Sequence, residues 1–368
     1  MKKLDTLILK EIIGPWIFGV AIFTVLIMAG SFLFEFTRLL SQKADPVKVL
    51  SLALLLMPAI MVKTFSMAML LATLLSFGQL SGNSEIVAMR AAGVSVGRIV
   101  LPVGFFGTVV AVIAFFTGNY LVPQASMQAF QIRYDIETEL DGKNERPTSH
   151  VITRDGRTVA MLNARDFSIE NQTLTNVIIN YFGQDGHLTY VLEAEKMKYQ
   201  SEDDWEIEGG ARLFAVKTGQ TLRADRIWPD QIEKPQFRPQ DLIANSLKDL
   251  DVLSMEQLKE QQAKELEKEN PDTAKAINFE FGYWNKITLP LAALVFGILG
   301  APLGIRNHRS GKAVGFWLSV IIIFGYMMLT NVMSIMAQGG QIPVWAASFT
   351  PVLIGLIFGM ALIHRRNG

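Results

Sequence analysis

The sequence predicts an α-helical membrane protein with six transmembrane helices and an inserted all-β domain. Three observations carry this prediction: six long apolar runs, short strand-like runs in the middle of the chain, and a matching change of charge. Residues 124–280 hold 29 of the 34 acidic and 19 of the 34 basic residues and carry about −10, whereas the remainder carries about +10. Two chemically different parts are therefore joined in one chain of 368 residues.

The first three apolar runs define a predicted domain at residues 1–123. Residues 12–34 carry no charge, and the run is long enough to cross about 30 Å of hydrocarbon. Residues 49–77 contain a single charge, at Lys63, and residues 99–122 contain none. The first run is too long for a signal peptide and lacks a small-residue cleavage site, so we expect it to be retained.

Three further runs, at residues 287–305, 313–337 and 344–363, define a second membrane domain at residues 281–368. Basic residues of the short loops and termini all fall on one side of a six-span topology, which predicts that this side is cytoplasmic. These are Lys2, Lys3, Lys10, Arg90, Arg98, Arg306, Arg309, Lys312, Arg365 and Arg366. Both termini are therefore predicted to be cytoplasmic.

The insert at residues 124–280 changes to a β pattern. Two β-rich runs surround Asp155-Gly156, and residues 184–187 punctuate a second pair, as expected for hairpins. Further strand-like runs lie at residues 176–182, 188–195, 205–208, 211–217 and 222–227. This spacing predicts an all-β sandwich or open barrel. After it, Ser254 and Gln257 form a predicted capping box for a solvated helix that returns to the membrane.

The polar-flanked segment 84–95, between the second and third runs, predicts a short helix at the membrane surface. Ser84 can cap its start, Glu85 favours the first turn, and Gly93 can supply a left-handed end. Its apolar and basic side chains form a candidate knob for a soluble partner, and a plain connecting loop is the alternative. The candidate contact residues are Glu85, Ile86, Met89, Arg90, Ala91, Gly93 and Val94.

This segment resembles the cytoplasmic coupling helix of the lipopolysaccharide-export permeases of the LptF/LptG (YjgP/YjgQ) family. The similarity lies in Ser84-Glu-Ile-x-x-Met-Arg-Ala-Ala-Gly-Val-Ser95, and it extends to residues 283–292 and 300–304. The resemblance implies that the helix docks into an LptB-like ABC ATPase. It also implies that the insert is a periplasmic β-jellyroll with an apolar trough for lipid acyl chains, although a merely structural β-domain would have the same sequence pattern.

The resemblance further implies an inner-membrane permease subunit of a Gram-negative-type bacterium that extracts lipopolysaccharide and passes it to LptC/LptA-like β-jellyroll proteins. A second permease subunit, an LptF/LptG-like paralogue or another copy, would complete a cavity entered between the first and fifth spans. The alternatives are a permease for another lipid or lipoprotein, and a membrane-anchored sensor that binds a periplasmic ligand. No nucleic-acid partner is expected.

The sequence predicts a transport subunit without its own enzyme activity. The four histidines lie in separate segments, which argues against a metal cluster or a catalytic triad. Gly311-Lys312-Ala313 lacks the upstream glycine and the Ser/Thr of a phosphate-binding loop. We therefore expect no bound cofactor, and energy from a partner, such as ATP used by an ATPase, or from an ion gradient.

Four basic residues are candidates for binding lipopolysaccharide. An ammonium at Lys63 costs roughly 2.5–3.5 kcal/mol at membrane depth unless it has a partner, and snorkelling to the interface is the alternative. Arg38, Lys43 and Lys286 fall at the outer ends of spans, where they can hold lipid A phosphates or simply anchor at headgroups. The resemblance favours phosphate binding for Arg38 and Lys286. Finally, Gly300-x-x-x-Gly304 and Gly355-x-x-x-Gly359 permit close helix approach.

Overall fold

The computed structural model describes residues 2–141, 148–154, 157–168, 171–183, 185–200, 204–224, 227–235, 237, 239, 250–267, 271–305 and 312–367. Within these residues, six helical stretches are long and apolar enough to cross a membrane, as predicted. The helices are α1 (Lys2–Ser41), α2 (Pro46–Gly82), α3 (Glu85–Ala91), α4 (Val96–Phe116), α5 (Val122–Asp141), α6 (Met255–Leu266), α7 (Thr273–Gly304), α8 (Lys312–Gln338) and α9 (Val344–Asn367).

The third span continues beyond the predicted run. A π-helical turn, Thr117–Leu121, joins α4 to α5 without a break, so the chain stays helical to Asp141 rather than leaving the helix near residue 123. The amphipathic residues of α5 explain the extension, because Ala129 and Ile136 are buried against α1 and α2. Leaving the apolar run therefore does not end the helix.

Helix α7 forms the centre of the bundle. A side chain at Gly304 would meet Phe77 Cβ at 2.7 Å, and one at Gly355 would meet Val295 Cγ1 at 2.5 Å. The two glycine motifs therefore seat α7 against α2 and α9 within this chain. Two-thirds of the most apolar window of α7 is buried (67%), against 17% for α1 and 11% for α8.

Both termini and α3 lie at one end of the bundle, which we call the α3 end. Ile8, Ile86 and Val96 share a buried cluster there, and Leu4 and Ile363 pack against it. The opposite end, where α5 leads into the inserted domain and α7 returns from it, we call the sheet end.

The insert contains one six-stranded antiparallel sheet in sequential order, which confirms an inserted β-domain. Its strands are β1 (Thr148–Arg154), β2 (Arg157–Ser168), β3 (Thr173–Phe182), β4 (Leu188–Tyr199), β5 (Trp205–Ala215) and β6 (Gln220–Arg223). The predicted turn at Asp155-Gly156 lies outside the described residues, but Arg154 and Arg157 on either side are paired. At the second predicted hairpin, the Gly183 N–H donates to the His187 carbonyl at 2.9 Å.

Two predicted strand runs, 205–208 and 211–217, are one strand in the structure. Gly209, at φ +102°, lies where the β4–β5 register shifts, so the glycine pair marks a bulge rather than a turn. The Glu195 carboxylate accepts a hydrogen bond from the Gly210 N–H at 3.2 Å and stabilises this bulge.

Candidate functional site

The short helix α3 presents one face to the bundle and one to solvent. Ile86 is fully buried, and Met89 and Val94 pack against the same cluster, so these three predicted contact residues anchor the helix. Arg90, Ala91 and Gly93 are exposed, and Glu85 is half-buried. Val87, which the sequence analysis did not single out, is 58% exposed and belongs to the outer face.

The two ends of α3 differ from the prediction in one respect. Ser84 does not cap the helix: it has φ +62° and its side chain makes no capping hydrogen bond. The backbone before α3 turns too tightly for the extended conformation that a capping serine needs. Gly93 does take the predicted left-handed conformation, with φ +83°. Ser95 then caps α4, since its hydroxyl accepts a hydrogen bond from the Arg98 N–H.

An ion pair beside α3 was not foreseen. Arg98 Nη2 donates to Asp5 Oδ2 at 2.8 Å, and Arg98 Nη1 lies 2.7 Å from Asp5 Oδ1. The pair ties the first turn of α4 to the first turns of α1. Because the two residues are 93 positions apart, their charges gave no signal of pairing in the sequence.

At the sheet end, two of the four candidate basic residues meet at a single acidic residue. Lys63 Nζ forms a salt bridge with the Asp251 carboxylate. Lys286 Nζ donates to the Asp251 carbonyl at 2.7 Å and to the Gly118 carbonyl at 3.0 Å. The predicted need of Lys63 for a partner is thus met within the chain, by a residue that the sequence analysis did not identify.

The segment that carries Asp251 contacts three spans, at Lys63, at the π-helical turn and at Lys286. Asp251 lies on a 3₁₀ turn, Leu250–Val252, which precedes α6. Asn119 Oδ1, in the π-helical turn, accepts a hydrogen bond from the Met255 N–H at 3.0 Å. The capping box of Ser254 and Gln257 is confirmed, and it fixes where α6 begins. Burial of Leu253 and Leu258 against Phe279 of α7 holds this segment in place.

Arg38 and Lys43 lie outside this cluster. Both are exposed at the carboxyl end of α1, where buried Leu39 and Ala44 pack against α2 and α5. Lys43 has φ +68° in the turn to α2, so its backbone is fixed by the tight connection. The structure therefore divides the four predicted basic residues into an internal pair and an exposed pair.

The apolar face of the sheet is continuous across four strands. Leu162, Ile179, Leu192 and Leu213 are directly opposite one another in the register of β2 to β5, and all four are fully buried. Burial of this row follows from the alternation of side chains in each strand. The row forms the floor of a trough.

A covering segment, residues 228–235 with Phe237, closes much of that trough. The Trp205 indole N–H donates to the Phe237 carbonyl at 2.8 Å, and their rings stack with centroids 4.9 Å apart. The Tyr181 hydroxyl donates to the Glu233 carbonyl at 3.0 Å. Burial, and then the Glu233 charge, raise the pKa of Tyr181, so the hydroxyl remains a donor at neutral pH. A cavity of about 410 Å³ opens beside Ile232.

Within the described parts of the chain, no group of three or more metal-binding side chains lies close enough to hold a metal ion. The arrangement thus offers two surfaces for recognition: an outward-facing short helix at one end, and basic groups with an apolar trough at the other.

Comparison with known proteins agrees with this arrangement. No curated protein sequence matches the chain significantly. The sequence profile described as "Lipopolysaccharide export system permease LptF/LptG" matches residues 6–365, which include all six spans and the whole sheet. The chain therefore belongs to the LptF/LptG family of lipopolysaccharide export permeases, multi-pass proteins of the inner membrane.

Proposed function

We propose that this permease subunit takes lipopolysaccharide from the inner membrane and passes it to a periplasmic β-jellyroll bridge, using ATP hydrolysed by a partner. The observation that carries the proposal is the opposite placement of the two surfaces. An outward-facing helix, anchored by Ile86, lies at one end of the bundle, and Lys63 and Lys286 are joined through Asp251, in the segment that leads from the sheet back to α7.

The outer face of α3 is the proposed contact with an LptB-like ATPase. Glu85, Val87, Arg90 and Ala91 reach the surface there, while the buried side of the helix joins α1, α2 and α4. Because α3 is packed rather than tethered, a partner that moves it also moves the spans that it contacts. The orientation that we propose places this end in the cytoplasm.

A second permease subunit is proposed to cover α1 and α8. These helices have the least buried apolar windows, and exposed Phe18, Phe34, Trp317 and Phe324 lie on them. Lipopolysaccharide would enter between these two spans of paired subunits. Its phosphates would meet Arg38, Lys43, Lys63 and Lys286 at the outer membrane surface.

The acyl chains are proposed to follow the trough of the sheet. Its floor is apolar, and the cavity beside Ile232 has room for part of a lipid chain. Among the described strands, β6 is an exposed edge of the sheet that pairs with β5 alone. Such an edge can add a strand of an LptC-like partner, which supports the hand-off.

Orientation is tested by cysteine labelling, since the chain has no native cysteine. Thr218→Cys and Gly340→Cys should react with a membrane-impermeant maleimide added from the periplasm, whereas Ser95→Cys should react only after the membrane is opened. Equal labelling of Ser95→Cys and Thr218→Cys in intact cells would overturn the six-span orientation.

Function is tested by copurification with an ATPase and by stimulation of its turnover with lipopolysaccharide in vesicles. A permease should release lipopolysaccharide in proportion to ATP hydrolysed. Binding of a ligand without release would favour a sensor instead, and equal release of an unrelated phospholipid would favour a permease for another lipid.

A further inference from the structure

The contacts at the sheet end assign a role to Asp251 beyond the proposed function, on which this inference rests. We infer that Asp251 is a displaceable counter-ion that holds both internal lysines until a lipid phosphate replaces it. One residue makes both contacts: its carboxylate binds Lys63, and its carbonyl binds Lys286. Displacing this single residue therefore removes one contact from each of two ammonium groups, while Lys286 keeps its hydrogen bond to the Gly118 carbonyl.

Space at the site favours exchange over joint occupancy. A cavity of about 30 Å³ lies among Lys63, Asp251, Asn285 and Lys286. That volume holds about one or two water molecules and is too small for a phosphate group with its oxygens. An anionic headgroup that approaches the lysines through this cavity must therefore take the place of the Asp251 carboxylate.

The pair is open enough to exchange. The side chains of Lys63 and Asp251 are 39% and 44% exposed, so water and headgroups can reach their contact. An exposed ion pair contributes little stability, whereas a phosphate offers a larger charge and more acceptor oxygens to the same ammonium. The substrate therefore has both access and an electrostatic advantage over the carboxylate.

Neighbouring contacts determine what moves. Leu253 is buried between α6 and α7, while Asp251, two residues earlier, is half-exposed. Leu250, on the same 3₁₀ turn, packs against this apolar cluster, so release of Asp251 would move the turn against the cluster and leave the capped start of α6 in place. Since this turn lies between the sheet and α7, headgroup binding would shift the connection between the β-domain and the fourth span.

The test is lipid A binding to the full complex of permease subunits and ATPase in nanodiscs. Asp251→Asn removes the carboxylate charge but keeps the backbone carbonyl, and it should tighten binding of bis-phosphorylated lipid A about two- to fivefold. Asp45→Asn is the matched control, because it removes an acid at the same end of the bundle while an asparagine still caps α2. The Asp45→Asn variant should leave the affinity unchanged. Asp251→Glu keeps the carboxylate charge, so it should not show the tighter binding expected of Asp251→Asn.

Three outcomes separate the possibilities. The gain should vanish with dephosphorylated lipid A and in a Lys63→Gln background, because either change removes one partner of the exchange. If Lys63→Gln weakens lipid A binding but Asp251→Asn has no effect, the counter-ion role is wrong and the proposed phosphate site stands. Unchanged binding in Lys63→Gln would reject that phosphate site itself, and equal competition by millimolar inorganic phosphate would overturn the assignment to a lipid headgroup.

Discussion

The two ends of the helical bundle are held together by different physics. At the α3 end, Ile86 and Val96 are buried in an apolar cluster, and the Asp5–Arg98 ion pair lies beside it. At the sheet end, Leu253, Leu258 and Phe279 form a smaller apolar cluster, and half-exposed Lys63 and Asp251 and backbone carbonyls make polar contacts beside it. The α3 end therefore depends mainly on apolar packing, whereas the sheet end adds an ion pair that is more open to solvent.

This difference indicates where movement can enter the helical bundle and where one charged group can replace another. Apolar packing is non-directional but costly to open, so a push on α3 moves the packed helices with it. Exposed ion pairs are weak and can be replaced by other charges at little cost. We therefore propose that force is transmitted at the α3 end and that substrate is exchanged at the sheet end.

The largest effect is expected from truncating a buried side chain in the apolar cluster at the α3 end. Ile86→Ala removes a buried side chain and should destabilise the anchoring of α3 by about 2–5 kcal/mol. Val87→Ala, its exposed neighbour, should change stability by less than about 0.5 kcal/mol. Thermal unfolding in detergent and the yield of copurified ATPase measure both. Equal effects of the two variants would show that α3 is not seated as described.

Strain at the end of α3 should have the next largest effect. Gly93 has φ +83°, so Gly93→Val should cost about 1–2 kcal/mol and reorient the chain between α3 and α4. Ala92→Val adds a β-branched side chain at the adjacent exposed position, where φ is −80°, and should be tolerated. Hydrogen exchange of residues 84–95 would report the difference, and matching exchange in both variants would contradict the strain argument.

The ion pairs at the two ends of the bundle are expected to differ in coupling energy by a smaller amount. The Asp5–Arg98 pair is bidentate, with side chains 35% and 24% exposed, whereas Glu35 and Arg133, which are 3.0 Å apart, are 21% and 49% exposed. A double-mutant cycle to Asn and Met should give the larger coupling energy for Asp5–Arg98. The corresponding cycle to Gln and Met for Glu35–Arg133 should give less than about 0.5 kcal/mol. A larger coupling energy for Glu35–Arg133 would mean that neither the bidentate contact nor the exposure of the arginine controls the strength of these ion pairs.

The smallest effects are expected at the exposed basic pair. Arg38→Gln and Lys43→Gln should each weaken lipopolysaccharide crosslinking by about twofold or less, because water screens exposed charges. Neither should alter the folded fraction. Raising the salt concentration should remove the effect of Arg38→Gln. A loss as large as that of Lys63→Gln would place the principal phosphate contact at the end of α1 instead.

The periodic features of the fold could be predicted from the sequence, since apolar runs and alternating strand residues leave a local signal. Gly93 was predictable because a left-handed helix end favours glycine. The failure of Ser84 to cap α3 was not, because it depends on how tightly α2 turns into α3. The Gly209–Gly210 bulge lies between two predicted strand runs that form one strand, because glycine interrupts the β pattern in the sequence without ending the strand.

Contacts between distant residues account for what the sequence could not show. Lys63 was recognisable as a charge in need of a partner, but Asp251 is one of many acidic residues in the insert and lies 188 positions away. The covering segment over the trough had no periodic pattern to mark it, since its contacts are made by scattered apolar and proline side chains. These contacts depend on packing between distant residues and can be identified only in the folded chain.

The most direct test of the central claim measures ATP turnover and lipopolysaccharide release from the same reconstituted vesicles. Transmission through α3 predicts that Glu85→Arg lowers ATP turnover and lipopolysaccharide release together by weakening ATPase binding. It predicts that Gly93→Val keeps the complex and its ATP turnover but lowers the lipopolysaccharide released per ATP, with Ala92→Val behaving as wild type. Normal release at a normal ATP cost in both Glu85→Arg and Gly93→Val would contradict transmission through α3.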